Sequence, residues 1–209
     1  MTALLEGERD GVDYEIEINQ RNSSVVVLAI HGGAIEPGTD VLARAVAGES
    51  FSFYAFRSLD PTKGRLHHVT SHRFDEPQCL ALVKRSRIAL SIHGHDGAPP
   101  WVFPGGRNAA FRKVVMDALI TKEVPVRFSP RLMGLHPRNV VNLPEAAGVQ
   151  IEFTWGLRSE LISPLSVDEW AEARLTDRGE MVAEALRDAF RMHAKRGAGL
   201  GPFEGETLN

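Results

Sequence analysis

The chain has 209 residues, 43% of them hydrophobic, with 24 Lys plus Arg against 27 Asp plus Glu and a formal net charge of -3. That length suffices for one well-buried core and is short for two substantial domains, so a single domain over 1–209 is expected, with variable or flexible residues near 1–10 and 197–209. The balanced charge offers no field to recruit nucleic acid or an anionic membrane, no run reaches the roughly 18 apolar residues of a membrane span, and a single cysteine excludes an internal disulfide.

The N-terminal "MTALLEGERDGVDYEIEINQ" has neither a cationic leader nor a long apolar segment, which reads as a soluble protein. Residues 12–18, "VDYEIEI", alternate like a half-exposed strand, whereas "VVVLAI" at 25–30 is apolar on both faces, as a strand covered by helices on both sides is. Thr39 is expected to cap a helix through "DVLARAVAG" that stops at Gly48, and "SFYAF" at 52–56 reads as a strand. Residues 57–71 carry turn formers without a sustained period, which predicts an excursion or hairpin. "EPQCLALVKRS" is a helix with Pro77 in its first turn, and its Cys79 reads as a packed thiol that suits a cytosolic compartment.

The strand "RIALSI" at 87–92 follows, then a loop over 94–106 with one short strand around 101–103. From Asn108 the stripe Phe111, Val114, Val115, Ala118 and Leu119 predicts a helix. "VPVRF" reads as a strand and "RLMGLHPRNVVNLPEAAG" as a long loop. "VQIEFT" at 149–154 alternates, with Val149, Ile151 and Phe153 on one face and Gln150, Glu152 and Thr154 on the other. Ser166 and Glu169 form a capping-box pattern before "WAEARL", and Gly179 is expected to separate that segment from a helix "EMVAEALRDAFRMHAKR" ending near Gly197. Strands of four to six residues alternating with helices predict a three-layer α/β domain, its mixed or mostly parallel twisted sheet flanked by helices. Antiparallel edges are compatible with the same pattern.

In such sheets ligands bind at the carboxyl ends of the strands. "VVVLAI" runs into His31 and "RIALSI" into His93, and Glu36 returns from the glycine turn after His31. If the two strands are parallel neighbours, His31, Glu36 and His93 meet at one rim, a three-ligand shell suited to catalytic zinc with a position left open. The bland alternative is a pair of loop histidines satisfied by nearby carboxylates or carbonyls. His95, two residues on, competes for the metal and is equally placed for substrate contact. Glu152 sits on a sheet whose other face is apolar, where a carboxylate is paired, hydrated or chemically used; an exposed edge strand is the other reading. Arginine and asparagine recur together in "GGRN" and "HPRN", giving Arg107, Asn108, Arg138 and Asn139, with Asn142 nearby, and these types suit carboxylate and amide recognition. Asn108 also fits a helix cap. No dinucleotide fingerprint and no Walker-type "GxxxxGK" occurs.

The ordered blocks "AIHGGAIEPGT", "HHVTSHRFDEP", "LSIHGHDG", "VFPGGRN", "HPRNVVN" and "GVQIEFTWGLR", spread over about residues 10–190, resemble the phage and bacterial poly-gamma-glutamate hydrolases. The resemblance implies a zinc carboxypeptidase-like α/β fold and hydrolysis of gamma-linked glutamyl amides in a polymer or related peptide. It implies one zinc per chain on His31, Glu36 and His93, with Glu152 as general base and acid. Broader similarity to zinc carboxypeptidases implies an arginine at the oxyanion, Arg107 first and Arg138 second, although "GGRN" follows His93 here where such a region usually precedes the last histidine ligand. Substrate contact is expected from Arg138, Asn108, Asn139, Asn142, His72 and His95, with Arg131 and Arg158 as further cations. A small N-acyl or cell-wall peptide is the alternative substrate, and a non-catalytic metal-stabilised binding domain the alternative role. The expected setting is a monomer, cytoplasmic or phage-encoded and released on lysis.

Overall fold

The computed structural model describes residues 1–196. In chain order it contains α1 (Thr2–Leu5), β1 (Tyr14–Asn19), β2 (Val25–Gly33), α2 (Thr39–Ala47), β3 (Ser52–Ser58), α3 (Gly64–His67) and α4 (Pro77–Arg85). There follow β4 (Ile88–His95), β5 (Val102–Gly105), α5 (Ala109–Thr121), β6 (Gly148–Thr154), α6 (Trp155–Leu161), β7 (Ile162–Ser163), β8 (Arg174–Leu175) and α7 (Asp177–Arg196). The main sheet has the order β1-β3-β2-β4-β6-β5. Its four central strands are parallel, and both edges, β1 and β5, are antiparallel. The half-exposed alternation of β1 is thus an edge signature, and the unbroken apolar run of β2 a central one.

Alternation along the central strands divides the interior in two. Val25, Val27 and Ala29 of β2, with Leu90 of β4 and Val149, Ile151 and Phe153 of β6, pack against α2, α5, α6 and α7. Val26, Leu28 and Ile30 face the other way, against Phe74, α4 and the turn at Val140 and Val141. Cys79 is fully buried in this second core. Helix starts follow local chemistry: the Glu76 carboxylate accepts the Gln78 and Cys79 N–H groups ahead of Pro77, and Asn108 Oδ1 accepts Phe111 N–H.

Several elements differ from the sequence reading. Thr39 is the first helical residue, not the cap; that place is taken by Gly38 at φ +84°. Of the two alternatives for residues 57–71 the structure has the excursion, a 3-10 turn (Pro61–Lys63), α3 and a further 3-10 turn (Ser71–Arg73), and not the hairpin. "VPVRF" is reduced to one bridge between Val126 and Val102, because Pro125 has no N–H to extend a ladder. Ser166 Oγ accepts the Asp168 N–H two residues on, closing a local turn in place of a capping box, so "WAEARL" becomes a 3-10 turn (Trp170–Glu172) and β8. Gly179 lies inside the first turn of α7 and separates nothing; a Cβ there would stand 2.2 Å from the Leu161 carbonyl oxygen. At the start of the chain Met1 is buried and its ammonium pairs with Asp75 at 2.7 Å. The variable stretch expected over 197–209, with the helix stop near Gly197, lies outside the described residues.

Candidate metal centre

β2 and β4 are parallel neighbours, paired from Val25↔Ile88 to Leu28↔Ser91, and both run on past their apolar cores, to Gly33 and His95. His31 and His93 therefore belong to the last residues of two adjacent strands at one end of the sheet. Between Ala29 and Gly32 the pairing of β2 with β3 shifts by one residue, a bulge that re-aims the chain at His31. Gly33, at φ +64°, follows it: a Cβ would lie 2.4 Å from the Ser58 carbonyl oxygen. The turn closes when Glu36 N–H donates to the His31 carbonyl (2.9 Å) and Thr39 Oγ1 donates to the Glu36 carbonyl (2.9 Å). Glu36 is thereby carried back over its own strand, where Gly94 N–H of β4 donates to Oε2 at 2.7 Å.

His31 Nε2 lies 2.9 Å from the Val69 carbonyl oxygen, which only accepts, so Nε2 bears a proton and Nδ1 is the ring atom turned towards Glu36 and His93. His31 Nδ1 lies 3.0 Å from Glu36 Oε1 and 3.2 Å from His93 Nδ1, while His93 Nδ1 is 3.7 Å from Glu36 Oε2. His93 Nε2 is held in turn by Ser91 Oγ at 2.9 Å. Donor atoms so close call for positive charge among them, and the edges of a tetrahedron around a cation with bonds near 2.0–2.1 Å are about 3.3 Å. The set fits a divalent metal. Burial acts to raise the Glu36 carboxyl, but His31, His68 and His93 outweigh it and hold the group well below the usual carboxylate range.

A cavity of about 650 Å³ opens beside these donors. Its floor includes His31, Glu36, His93 and Glu152. Glu152 stands opposite His93 in the β4–β6 register. Burial pushes the Glu152 carboxyl up to about 7, with His93 and Arg158 opposing and the Glu36 charge adding to the rise. The residues expected at the site divide clearly. His72, His95 and Asn139 line the cavity with the four already named. Asn108 caps α5, and its Nδ2 donates to the Ala146 carbonyl. Asn142 accepts the Arg107 N–H and donates to the Gly134 and His136 carbonyls, which makes it a brace for the loop before it. Arg107 and Arg138 are exposed and are not among the lining residues. Arg158 is buried, donating to the Pro37 and Phe153 carbonyls.

The model of a family described as poly-gamma-glutamate hydrolase matches residues 1–184. The chain belongs to the poly-gamma-glutamate hydrolase family. Membership carries hydrolase chemistry on amide bonds, as the ordered sequence blocks implied. The UPF0714 protein YndL of Bacillus subtilis (strain 168) is 29% identical over 191 residues, which are 90% of this chain and 74% of YndL. The SPbeta prophage-derived UPF0714 protein YoqZ of the same strain is 31% identical over 161 residues, 75% of this chain but only 58% of YoqZ. A bacteriophage poly-gamma-glutamate hydrolase superposes with a TM-score of 0.87 at 28% identity, covering 93% of this chain and 96% of that one. Zinc-free YndL superposes at 0.82 and 28%, covering 90% and 94%. The mixed sheet flanked by helices is thus shared with solved members of the poly-gamma-glutamate hydrolase family.

On this family scaffold the sequence reading missed three participants. His68 brings Nε2 to 3.1 Å from Glu36 Oε1 and stacks on the His31 ring at 4.1 Å. The donor atoms of His31, Glu36 and His68 lie within 4.8 Å of one another, and the Glu36 hydrogen bond raises the His68 pKa. The doubled histidine in "LHHVTS" was its only signal. Gln150 donates through Nε2 to Glu152 Oε1 (3.1 Å) and to the Leu132 carbonyl (3.3 Å), while its Oε1 accepts from Asn139 Nδ2 (2.7 Å). His136 meets His72 ring to ring at 4.7 Å across the cavity wall. No helix among the described residues is long and apolar enough to cross a membrane.

Proposed function

We infer that this chain hydrolyses gamma-linked glutamyl amides, using one zinc ion per chain held by His31, Glu36 and His93, with Glu152 as general base and acid. The observation that carries the reading is the convergence of two imidazole Nδ1 atoms and one carboxylate at the floor of an open cavity, with a second carboxylate on the next strand. A structural metal site closes its shell, whereas this one leaves space beside the donors for a substrate. The names of the phage hydrolase and of zinc-free YndL support the substrate and the metal respectively. The prophage origin of YoqZ supports a phage-associated setting.

His93 is preferred to His68 as third ligand because it is buried, sits on a strand and has its far nitrogen fixed by Ser91. His68 is half-exposed on a short turn and engages Glu36, so it orients the carboxylate from the cavity side. Zinc in this cluster supplies Lewis acidity, polarising the scissile carbonyl and lowering the pKa of water. Glu152 takes the proton from the attacking water as its oxygen bonds to the carbonyl carbon, and returns it to the nitrogen as the C–N bond breaks. Burial favours the protonated form of this carboxyl in the metal-free chain, which helps it hold the proton it later returns. Gln150 holds the Glu152 carboxylate in place between the two transfers.

The test is zinc-loaded protein against poly-gamma-glutamate, gamma- and alpha-linked glutamyl peptides and N-acyl amino acids, followed by released amine and product mass. Cleavage of the gamma-linked substrates is expected; activity on N-acyl amino acids alone overturns the substrate assignment. Glu152→Gln is expected to keep its zinc and lose turnover by about 100-fold or more. His31→Ala and His93→Ala are expected to lose zinc by elemental analysis, and full retention in His93→Ala with loss in His68→Ala transfers the third ligand to His68.

A further inference from the structure

Away from the sheet end, the cavity is walled by His68, residues 70–72 and residues 130–136, the two segments meeting at His72 and His136. Six imidazoles line it, but among the described residues Arg131 is the one arginine or lysine that does. Elsewhere arginines near the sheet are engaged: Arg158 holds two carbonyls, and Arg44 and Arg57 both hold Glu17. The Arg131 guanidinium has no hydrogen bond or ion pair with any described residue.

Its mounting is rigid and points to one side of the reaction. The segment closes on itself through Leu132 N–H to the Ser129 carbonyl (3.0 Å) and is pinned to the end of β5 by Gly106 N–H to the Met133 carbonyl (2.8 Å). Asn142 Nδ2 holds the Gly134 carbonyl at 2.7 Å. The residue next to Arg131 shares a carboxamide with Glu152, since Gln150 Nε2 donates both to the Leu132 carbonyl and to Glu152 Oε1. Arg131 is therefore fastened to the side of the cavity where Glu152 protonates the departing nitrogen.

Linkage chemistry decides what lies there. In a gamma-linked glutamyl chain the carbon bonded to the scissile nitrogen also carries a free carboxylate. In an alpha-linked chain that carboxyl is consumed as the next, neutral amide, and the charge moves to the far end of the side chain. A planar guanidinium carried by a segment anchored on the leaving side takes the first arrangement as a paired, charge-assisted hydrogen bond and finds nothing to hold in the second.

We propose that Arg131 binds the alpha-carboxylate of the residue that departs as the amine, and so selects gamma linkages. The inference rests on the gamma-glutamyl hydrolase reading above. Loss of a charge-assisted pair of this kind corresponds to about 10–100-fold in kcat/KM.

The experiment uses a gamma-linked glutamate hexamer and the same hexamer with one internal alpha-carboxylate replaced by carboxamide, with cut positions and rates read by mass spectrometry. The zinc-loaded wild type is expected to cut the bond before the amidated residue about 10–100-fold more slowly than the same bond in the unmodified chain. Arg131→Gln is expected to cut both bonds at one common, lowered rate, and Arg131→Lys to keep part of the preference. A wild type indifferent to amidation, or an Arg131→Gln that keeps the wild-type rate and preference, overturns the proposal while leaving gamma-glutamyl hydrolysis intact. A wild type that cuts neither hexamer overturns the functional reading and this proposal with it.

Discussion

A single hydrogen bond sets which His31 nitrogen faces the cluster. The Val69 carbonyl accepts the Nε2 N–H and turns Nδ1 towards Glu36 and His93. Glu152 shows the complementary situation, an acid lifted to about 7 by burial. In metal-free protein the folded chain holds that proton more tightly than the unfolded chain, whose carboxyl titrates near 4.5. The resulting contribution to stability is complete below the unfolded pKa and is lost as pH rises through 7. Glu152→Gln is accordingly expected to stabilise metal-free protein at pH 8 by on the order of 3 kcal/mol and to be nearly neutral at pH 4, read as thermal midpoints at both pH values. An equal effect at both excludes ionisation as the cause. His31, Glu36, His93 and Glu152 were legible in the sequence because strand ends and strand alternation locate them. Arg131 was one cation among several, because a residue in a loop without period has no direction until the loop's carbonyls are paired. Arg107 and Arg138 were favoured by their asparagine neighbours, yet those asparagines proved to serve caps and loop braces.

Elements formed where local chemistry and burial agreed, and failed where only composition suggested them. β2, β4 and β6 have apolar runs that two layers of helices cover, and α4 and α5 have caps whose hydrogen bonds are made. "VPVRF" had the apolar content of a strand but a proline where a donor was needed, and the Ser166 hydroxyl found a nearer partner than a helix would give it. Asn108→Ala separates cap from substrate contact: a loss of about 1 kcal/mol in denaturant unfolding with KM unchanged is expected. A raised KM at full stability returns Asn108 to the substrate. Gly33→Ala probes the bulge, since its φ of +64° and the nearby Ser58 carbonyl both resist a side chain. It is expected to destabilise by about 1–3 kcal/mol and to weaken zinc binding, measured by competition with a chelator.

At the scale of the molecule, one sheet separates two cores and exposes its reactive end to a cavity walled by loops. The three-layer plan and the antiparallel edges followed from the order and patterning of the elements; the loop walls, which carry no such pattern, did not. An ion bound only by the folded chain would add to stability by mass action, about 4 kcal/mol at a free concentration 1,000 times Kd. Wild-type protein is expected to lose thermal midpoint on chelation and to regain it on zinc addition, and His31→Ala to show no zinc dependence. His31 and His93 are 62 positions apart in the chain and meet only through the β2–β4 pairing. The local turn joins only His31 and Glu36; bringing His93 to them closes that long loop, a late and entropically expensive event. With the proposed three ligands, completion of the metal shell during refolding would serve as a clock for completion of the central sheet.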